Sequence, residues 1–169
     1  MGGMVAFELA VCFPELVRSL TVVNSYAEMR VESLWDHLQV WRRILFLELL
    51  GTRGTGIFLS RHLFPSPEQA ELRQIFIQRW AKNDKHAYRN SLRAVFNWDV
   101  EGRLGEIKCP VLVVASEHDY MPLDEKRAYT AKIPNAKLIV IENARHAVAV
   151  ERPEQFNAVL EEFLAEDNE

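Results

Sequence analysis

Three short runs of apolar residues alternate with helical patterns along the chain, and together they predict its fold. The runs occupy residues 20–23, 111–115 and 137–141, and each one ends in a polar loop. Continuous apolar runs of this length are typical of strands that are buried on both faces. The helical patterns that flank them occupy residues 4–10, 123–133 and 153–165. Strands that alternate with helices predict an α/β fold, in which helices cover both faces of a short parallel sheet.

The middle of the chain, residues 28–97, has a different pattern and no convincing strand. Its first apolar residues recur at steps of three and four, which predicts an amphipathic helix; they are Trp35, Leu38, Trp41, Leu45 and Leu49. Two more helical patterns follow at residues 68–82 and 85–96. The predicted breaks between these helices lie at Gly51, Gly54 and Gly56 and at Pro65 and Pro67, with Ser60 or Ser66 as a cap.

Composition and charge exclude several classes of function. Apolar residues make up 49% of the 169 residues and charged residues 26%, which is typical of a globular protein. The net charge of -4 predicts no basic face for nucleic acid, and no apolar run reaches the roughly 18 residues of a membrane span. Cys12 and Cys109 form neither a metal-binding spacing nor a disulfide framework, so we expect both to be buried. The expected location is the cytoplasm.

Polar residues follow each of the three predicted strands: Asn24, Asp119 and His146. Ligands of open parallel sheets bind in the crevice beyond the carboxyl ends of the strands, so these side chains should face one crevice. A histidine that acts as a general base needs a carboxylate to fix its tautomer and stabilise the imidazolium. The sequence therefore indicates an Asp119–His146 pair with a role in proton transfer.

Each of these residues also has an ordinary structural interpretation. His146 could be a loop histidine that is hydrogen-bonded to the backbone, and Asp119 could cap the helix predicted at residues 123–133. His118 competes with His146, although it precedes the acid and could point to solvent. Asn24 is best explained as a turn residue, with an alternative acid position or a halide contact as the other options. The equivalent positions of Asp119 and His146 at strand ends favour a pair.

Three segments resemble the α/β-hydrolase family. Residues 1–6 (MGGMVA) resemble the continuation of the G-x-S-x-G nucleophile elbow, and residues 110–119 (PVLVVASEHD) resemble the acid-bearing strand and loop. Residues 145–156 (RHAVAVERPEQF) resemble the histidine loop and the final helix, and the order of the three segments agrees with the family. Ser116 and Arg145 stand where the family usually has glycine.

The resemblance implies the C-terminal part of an α/β-hydrolase. Residues 1–27 and 99–169 would belong to the hydrolase core, and residues 28–98 would form an inserted helical cap. The implied activity is hydrolysis of an ester, a lactone or a carbon–carbon bond in a small apolar acyl substrate. His146 would act as the base and Asp119 would orient it, and the chemistry requires no metal or organic cofactor.

The same resemblance places the nucleophile directly before Met1, outside the 169 residues. Met1 would occupy the oxyanion-hole position, where the family uses a backbone N–H, and Gly2 and Gly3 would be the elbow glycines. We therefore expect a fragment that is inactive alone. The Met1-Gly2-Gly3 continuation resembles the serine branch of the family more closely than the branch of epoxide hydrolases and haloalkane dehalogenases, which use aspartate as the nucleophile. A start that lies further upstream is also compatible with the motif.

A different class of function is also open, namely a non-catalytic fragment. Without the rest of a hydrolase sheet, the strand at residues 20–23 would have an unpaired edge. Such an edge can pair with a second copy, giving a homo-oligomer, or with a missing N-terminal half.

Aromatic residues of the middle section are candidates for an apolar substrate pocket: Trp35, Trp41, Phe76 and Trp80. Packing between the helices is the favoured interpretation, and a pocket lining is the alternative.

Overall fold

The computed structural model describes residues 1–166 and divides them into two compact units. The core unit contains residues 1–28 and the residues from 99 onward, and the helical unit contains residues 29–98. In chain order the elements are α1 (Gly2–Cys12), β1 (Leu20–Val23), β2 (Glu28–Met29), α2 (Leu34–Leu63), α3 (Ala70–Trp80), α4 (Lys85–Val95), β3 (Trp98–Asp99), β4 (Val111–Ser116), α5 (Leu123–Thr130), β5 (Ala136–Ile141), α6 (Val148–Glu151) and α7 (Pro153–Glu166). None of the helices within residues 1–166 combines the length and apolarity needed to cross a membrane.

The core unit is built on a parallel three-stranded sheet in the order β1-β4-β5. Val22 pairs with Val113 and Val114 pairs with Ile139, so the three strands end at the same edge. All six positions of β4 are buried, which explains why its sequence is apolar without alternation. The predicted α/β fold with a short parallel sheet is confirmed.

Helices cover both faces of this sheet. On one face Leu112 and Val114 form a cluster with Phe163 of α7. Since every β4 residue is buried, the other face is covered as well, and α1 and α5 are the remaining helices that pack on β1 and β4. The rings of Phe7 and Tyr129 meet edge to face with centroids 5.8 Å apart. Burial of these side chains supplies the main stabilisation of the core unit.

The helical unit contains three helices and differs from its sequence prediction in two places. Of the three glycines expected to break the chain, only Gly51 leaves helical geometry (φ 64°, ψ -172°), so α2 continues through a kink. Gly56 lies inside α2, where a Cβ would stand 2.9 Å from the Cβ of Trp80. The expectation of no strand in residues 28–97 is wrong at β2, which pairs with β3. Two residues are too short a run to show a hydrophobic period.

Ser33, Ser60 and Ser66 differ in whether they cap a helix. Ser33, which the sequence reasoning missed, forms a reciprocal capping box with Asp36 at the start of α2. Ser66 caps the short turn before α3, as one of the two expected options, through a box with Gln69. Ser60 does not cap a helix, because its hydroxyl donates to the carbonyl of Ile57 within α2.

The two cysteines differ from the expectation that both are buried. Cys12 is exposed and Cys109 is half-buried, so that prediction is wrong for Cys12. Cys12 is the last residue of α1, where the chain turns outward into Pro14, and Arg103 lies 3.7 Å from its sulfur.

Gly3 sits where α1 approaches the end of β1, and this closeness gives a stability prediction. A Cβ at position 3 would lie 2.5 Å from both Cβ and Oγ of Ser25, which is itself buried, whereas a Cβ at position 2 would meet nothing. We expect Gly3→Ala to destabilise the chain by about 1–3 kcal/mol through overpacking. Urea unfolding of Gly3→Ala beside the matched control Gly2→Ala measures the difference; equal midpoints for the two variants would contradict the close approach.

Candidate active site

The loops that follow β1, β4 and β5 converge at one edge of the sheet. The backbone N–H of Asn24 donates to the carbonyl of Val114 at 3.0 Å, which extends the β1–β4 pairing by one residue. The N–H of His118 donates to the carbonyl of Ala144 at 2.9 Å, which ties the β4 loop to the β5 loop. Strand geometry and these bonds therefore bring the three loops into one site.

Asp119 and His146 are in direct contact. His146 Nδ1 lies 2.6 Å from Asp119 Oδ1. The Asp119 side chain is 1% exposed, whereas that of His146 is 38% exposed and its Nε2 has no hydrogen-bond partner within residues 1–166. The ring of Tyr120 packs against the imidazole with centroids 4.8 Å apart. A buried carboxylate that accepts from Nδ1 leaves Nε2 as the proton acceptor, which is the arrangement of a general base.

The other oxygen of the same carboxylate is bound by a lysine that the sequence reasoning missed. Lys126 Nζ lies 2.5 Å from Asp119 Oδ2 and 2.9 Å from Asn24 Oδ1. Its side chain is 0% exposed, although lysines in folded proteins almost always keep the ammonium in water. The signal for it was the spacing in α5, since Lys126, Tyr129 and Thr130 share one buried helix face.

The charges of this group shift one another's ionisation. Burial alone would raise the pKa of Asp119, but the hydrogen bonds and positive charges of His146 and Lys126 outweigh it and hold the pKa below its ordinary value. Burial lowers the pKa of Lys126, and the contact with Asp119 opposes that shift. Burial, together with the charge of Asp119, raises the pKa of Tyr129. Asp119 is therefore a carboxylate throughout the neutral pH range.

Asn24 joins the three loops through its side-chain amide. Nδ2 donates to Ser116 Oγ at 2.7 Å and to the carbonyls of His146 at 3.1 Å and Arg145 at 3.3 Å. Oδ1 accepts from the N–H of Ser116 at 2.8 Å and from Lys126. Its backbone is in the left-handed region (φ 45°), as in turn residues. The amide therefore contacts the histidine loop through the carbonyls of Arg145 and His146 and not through the imidazole.

The structure also separates Asp119 and His146 from their rival interpretations. The N-cap position of α5 is Pro122 and has no side-chain cap, so Asp119 does not cap that helix. The His118 side chain is 50% exposed and lies 3.8 Å from Glu117.

The two positions where the family usually has glycine accommodate side chains. Ser116 is buried and bonds to Asn24. Arg145 has no positive φ, because the left-handed turn residue of that loop is Asn143 (φ 51°), and its N–H donates to Glu151 at 2.8 Å. Neither substitution therefore disturbs the Asp119–His146 contact.

The remaining predicted site residues lie at the start of α1 and in the helical unit. Met1 is the residue before α1, and its carbonyl accepts from the N–H of Met4 at 3.1 Å; Gly2 and Gly3 form the first helical positions. Trp35 and Trp41 are 63% and 69% exposed on α2.

Phe76 and Trp80 belong instead to an aromatic cluster of the helical unit. Their rings stack with centroids 4.9 Å apart, and Tyr88 packs on Trp80 edge to face at 5.4 Å. Packing is therefore their visible role. No group of three or more His, Cys, Asp or Glu side chains in the described part of the chain could hold a metal ion.

Comparisons with known proteins match the part of the chain that contains Asp119 and His146. The model of the alpha/beta hydrolase family matches residues 1–159. A "Putative carbamate hydrolase RutD" of Caulobacter sp. (strain K31) is 37% identical over an alignment of 177 positions, which covers 97% of this chain and 62% of the relative. The protein of the same name from Agrobacterium fabrum is 28% identical over an alignment of 179 positions, which covers 97% of this chain and 64% of that protein. The chain thus spans less than two thirds of these relatives.

A solved structure shows the same fold at low sequence identity. The enol-lactonase from Burkholderia xenovorans LB400 superposes with a TM-score of 0.85 at 19% identity, over 98% of this chain and 63% of that chain. At this identity the likeness shows the fold alone. With the family match extending over residues 1–159, the chain belongs to the α/β-hydrolase family.

Proposed function

We propose that this chain supplies the proton-transfer pair of a hydrolase that cleaves small acyl substrates by a Ser-Asp-His mechanism. The observation that supports it is the 2.6 Å contact between His146 Nδ1 and a buried Asp119 oxygen. His146 leaves Nε2 open on its exposed side, and Asp119 is held as a carboxylate by its neighbours. A base of this design suits the activation of a hydroxyl nucleophile.

The proposed reaction has two steps in which His146 moves the proton. The nucleophile's hydroxyl oxygen attacks the substrate carbonyl while its proton passes to Nε2. Nε2 then protonates the leaving group as its bond to the acyl carbon breaks, which leaves an acyl-enzyme ester. In the second step water loses a proton to Nε2 while its oxygen attacks the ester carbon. The bond from that carbon to the nucleophile's oxygen then breaks, the oxygen takes the proton back from Nε2, and the acid is released. Asp119 stabilises the imidazolium in both steps without becoming protonated itself.

The proposed nucleophile is a serine at the position that the elbow motif assigns to the residue directly before Met1. In that arrangement the N–H of Met1 is an oxyanion donor and Gly2 and Gly3 permit the tight elbow. Aspartate at the same position, with an alkyl-enzyme ester, is the alternative chemistry. Among residues 1–169 no serine occupies an elbow, so we propose that these residues are inactive alone.

The substrate is proposed to be a small neutral molecule with an apolar acyl group. The names of similar proteins, a carbamate hydrolase and an enol-lactonase, both describe acyl-type bonds. Esters, lactones and carbon–carbon bonds next to a carbonyl fit the same two steps. Within the helical unit Trp35 and Trp41, which are exposed on α2, remain the proposed candidates for an apolar lining, since Phe76 and Trp80 pack with other rings.

Ester turnover tests the proposal when the chain is joined at its N-terminus to a family segment ending in the Gly-x-Ser elbow (the elbow-joined protein). We expect it to hydrolyse p-nitrophenyl acetate and to lose activity on reaction with a fluorophosphonate, and we expect no turnover by residues 1–169. A folded elbow-joined protein with neither turnover nor labelling would overturn the acyl mechanism. Turnover by residues 1–169 that is abolished by both His146→Ala and Asp119→Ala would refute the proposal that these residues contain no nucleophile.

A second candidate function, self-association of a non-catalytic fragment, is favoured by one feature of the core unit. In the described residues β1 pairs with β4 alone, so its other edge carries free backbone groups. Exposed apolar side chains of the adjoining α1 and the turn after it are Val5 (68%), Leu9 (42%) and Leu16 (69%).

We expect the 169-residue chain to associate in solution, because an open strand edge and exposed apolar side chains on the core unit both favour pairing with a second copy. Light scattering against concentration measures the mass, and Leu9→Lys on this surface should shift the chain toward the monomer. The matched control is Leu34→Lys, which removes an exposed apolar side chain from the helical unit instead. A clean monomer with a cooperative melt would eliminate this candidate.

A further inference from the structure

One charged group of the core unit takes no part in the proposed proton transfer, although it contacts the acid directly. Lys126 is wholly buried, and its ammonium lies between Asp119 and Asn24 at 2.5 and 2.9 Å. Burial of a lysine is costly, so a stability role alone gives little reason for its presence; apolar residues of similar volume stabilise such positions as well or better. The effect of Lys126 is therefore expected on the site residues that it contacts.

The geometry divides the carboxylate of Asp119 between two donors. Oδ1 accepts from His146 and Oδ2 accepts from Lys126, so the lysine fixes the rotation that turns Oδ1 toward the imidazole. Asn24 holds Lys126 from the other side and also bonds to the carbonyl of His146. The ammonium, the acid and the histidine loop are thus fixed relative to one another by a closed set of hydrogen bonds.

We propose that Lys126 is a positioning residue that orients Asp119 toward His146 and so fixes the tautomer of the imidazole. The proposal rests on the proposed function insofar as it concerns catalysis, but the tautomer concerns His146 in the folded chain alone. An ammonium on Oδ2 keeps the carboxylate in the rotation that turns Oδ1 toward Nδ1. Lys126 therefore holds the proton of neutral His146 on Nδ1, which leaves Nε2 as the proton acceptor.

Other charged and titratable groups face this site and must be held constant in a test. Tyr120 contacts the imidazole ring, and Tyr129 on α5 senses the charge of Asp119. Arg145 precedes His146, and Glu151 of α6 accepts from its backbone N–H. The exposed side chains of His118 and Glu117, 3.8 Å apart, lie in the same loop as Asp119. None of these residues contacts Oδ2 of Asp119, so removal of the Lys126 charge acts through the carboxylate.

The test is the ring ¹⁵N NMR spectrum of neutral His146 in the 169-residue chain, with Lys126→Met as the variant. We expect the share of His146 that carries its proton on Nδ1 to fall roughly twofold, because Oδ1 is no longer held against the imidazole. Lys126→Gln, whose amide can still donate to Oδ2, should keep most of the Nδ1 tautomer, and Lys126→Leu replaces Lys126→Met if that variant does not fold. The matched control is Lys132→Met, which removes a half-exposed lysine that is paired with Glu101 and should leave the tautomer unchanged.

Activity of the elbow-joined protein gives an independent readout. In Lys126→Met kcat should fall in proportion to the lost Nδ1 tautomer, with KM nearly unchanged, and Lys126→Gln should restore kcat. An Nδ1 tautomer that stays fully populated in Lys126→Met overturns the proposal even where the enzyme is active. A depleted Nδ1 tautomer in a folded elbow-joined protein that hydrolyses no acyl substrate supports the positioning role of Lys126 and overturns the proposed function instead.

Discussion

His146→Ala and Asp119→Asn should each abolish most of the turnover of the elbow-joined protein, while His118→Ala should leave it nearly intact. Loss of the base is expected to lower kcat by about 10³- to 10⁶-fold, the range that removal of a triad histidine gives. His118 serves as the matched control, since it lies one residue before Asp119 but its side chain is half exposed and lies 3.8 Å from Glu117. Initial rates on p-nitrophenyl acetate, with enzyme concentration fixed by absorbance, measure the effect.

The Asp119→Asn variant is the more informative of the two because Lys126 fixes the direction of the amide. Lys126 donates only hydrogen bonds, so the amide oxygen of an asparagine should face Lys126 and its NH₂ should face His146 Nδ1. His146 would then carry its proton on Nε2, which is the wrong tautomer for a base. We expect a loss of about 10⁴-fold in kcat, with little change in KM.

The losses of kcat in His146→Ala and Asp119→Asn should not add, since Asp119 acts only through His146. The double variant is therefore expected to be about as slow as His146→Ala alone. An additive double variant, or a His118→Ala variant as slow as His146→Ala, would contradict the assignment of the pair.

The sequence predicted the sheet of the core unit well because burial leaves a clear signal there. Val111–Ser116 is apolar at nearly every position, and a strand covered on both faces requires that. The same reasoning placed Asp119 and His146 at neighbouring strand ends, and the observed contact follows from the parallel order of β4 and β5. The order of the strands along the chain was therefore enough to predict the contact between Asp119 and His146.

Features that depend on contacts between distant residues could not be predicted from the pattern. The strands β2 and β3 contain two residues each, which is too few for any period. The apolar period of α2 predicted a helix correctly, yet Trp41 and Leu49 on that period are 69% and 73% exposed. Periodicity indicates which residues share a face, but the partner of that face is set by the rest of the fold.

Lys126 shows the same limit at the site itself. Its spacing to Tyr129 and Thr130 places it on the buried face of α5. A lysine in a helix with so many charged residues is nevertheless normally expected to be solvated. Only the positions of Asp119 and Asn24, from β4 and β1, show what compensates its charge. A charged residue at an apolar-face position is therefore the sequence feature that indicates a buried ion pair.

The second large effect is expected in stability, from Asp119→Ala in the 169-residue chain. The substitution leaves the Lys126 ammonium buried with only the oxygen of Asn24 as a partner. Removal of one partner from a buried ion pair costs roughly 3–5 kcal/mol, because the remaining charge is uncompensated. Urea unfolding at pH 7 measures this loss. The matched control is Glu101→Ala, whose pair with the half-exposed Lys132 should contribute at most about 1 kcal/mol.

The Asp119→Ala loss should depend on Lys126 and on pH in ways that a simple cavity would not. Asp119→Ala combined with Lys126→Met removes both charges and should recover most of the stability. Because the pKa of folded Asp119 lies below its ordinary value, its contribution is complete above the unfolded-state pKa of about 4 and is lost as the pH falls through the folded value. The gap between the unmodified chain and Asp119→Ala should therefore narrow in acid. A gap that is the same at pH 3 and pH 7, or a double variant as unstable as Asp119→Ala, would show that lost packing, not the uncompensated lysine, causes the effect.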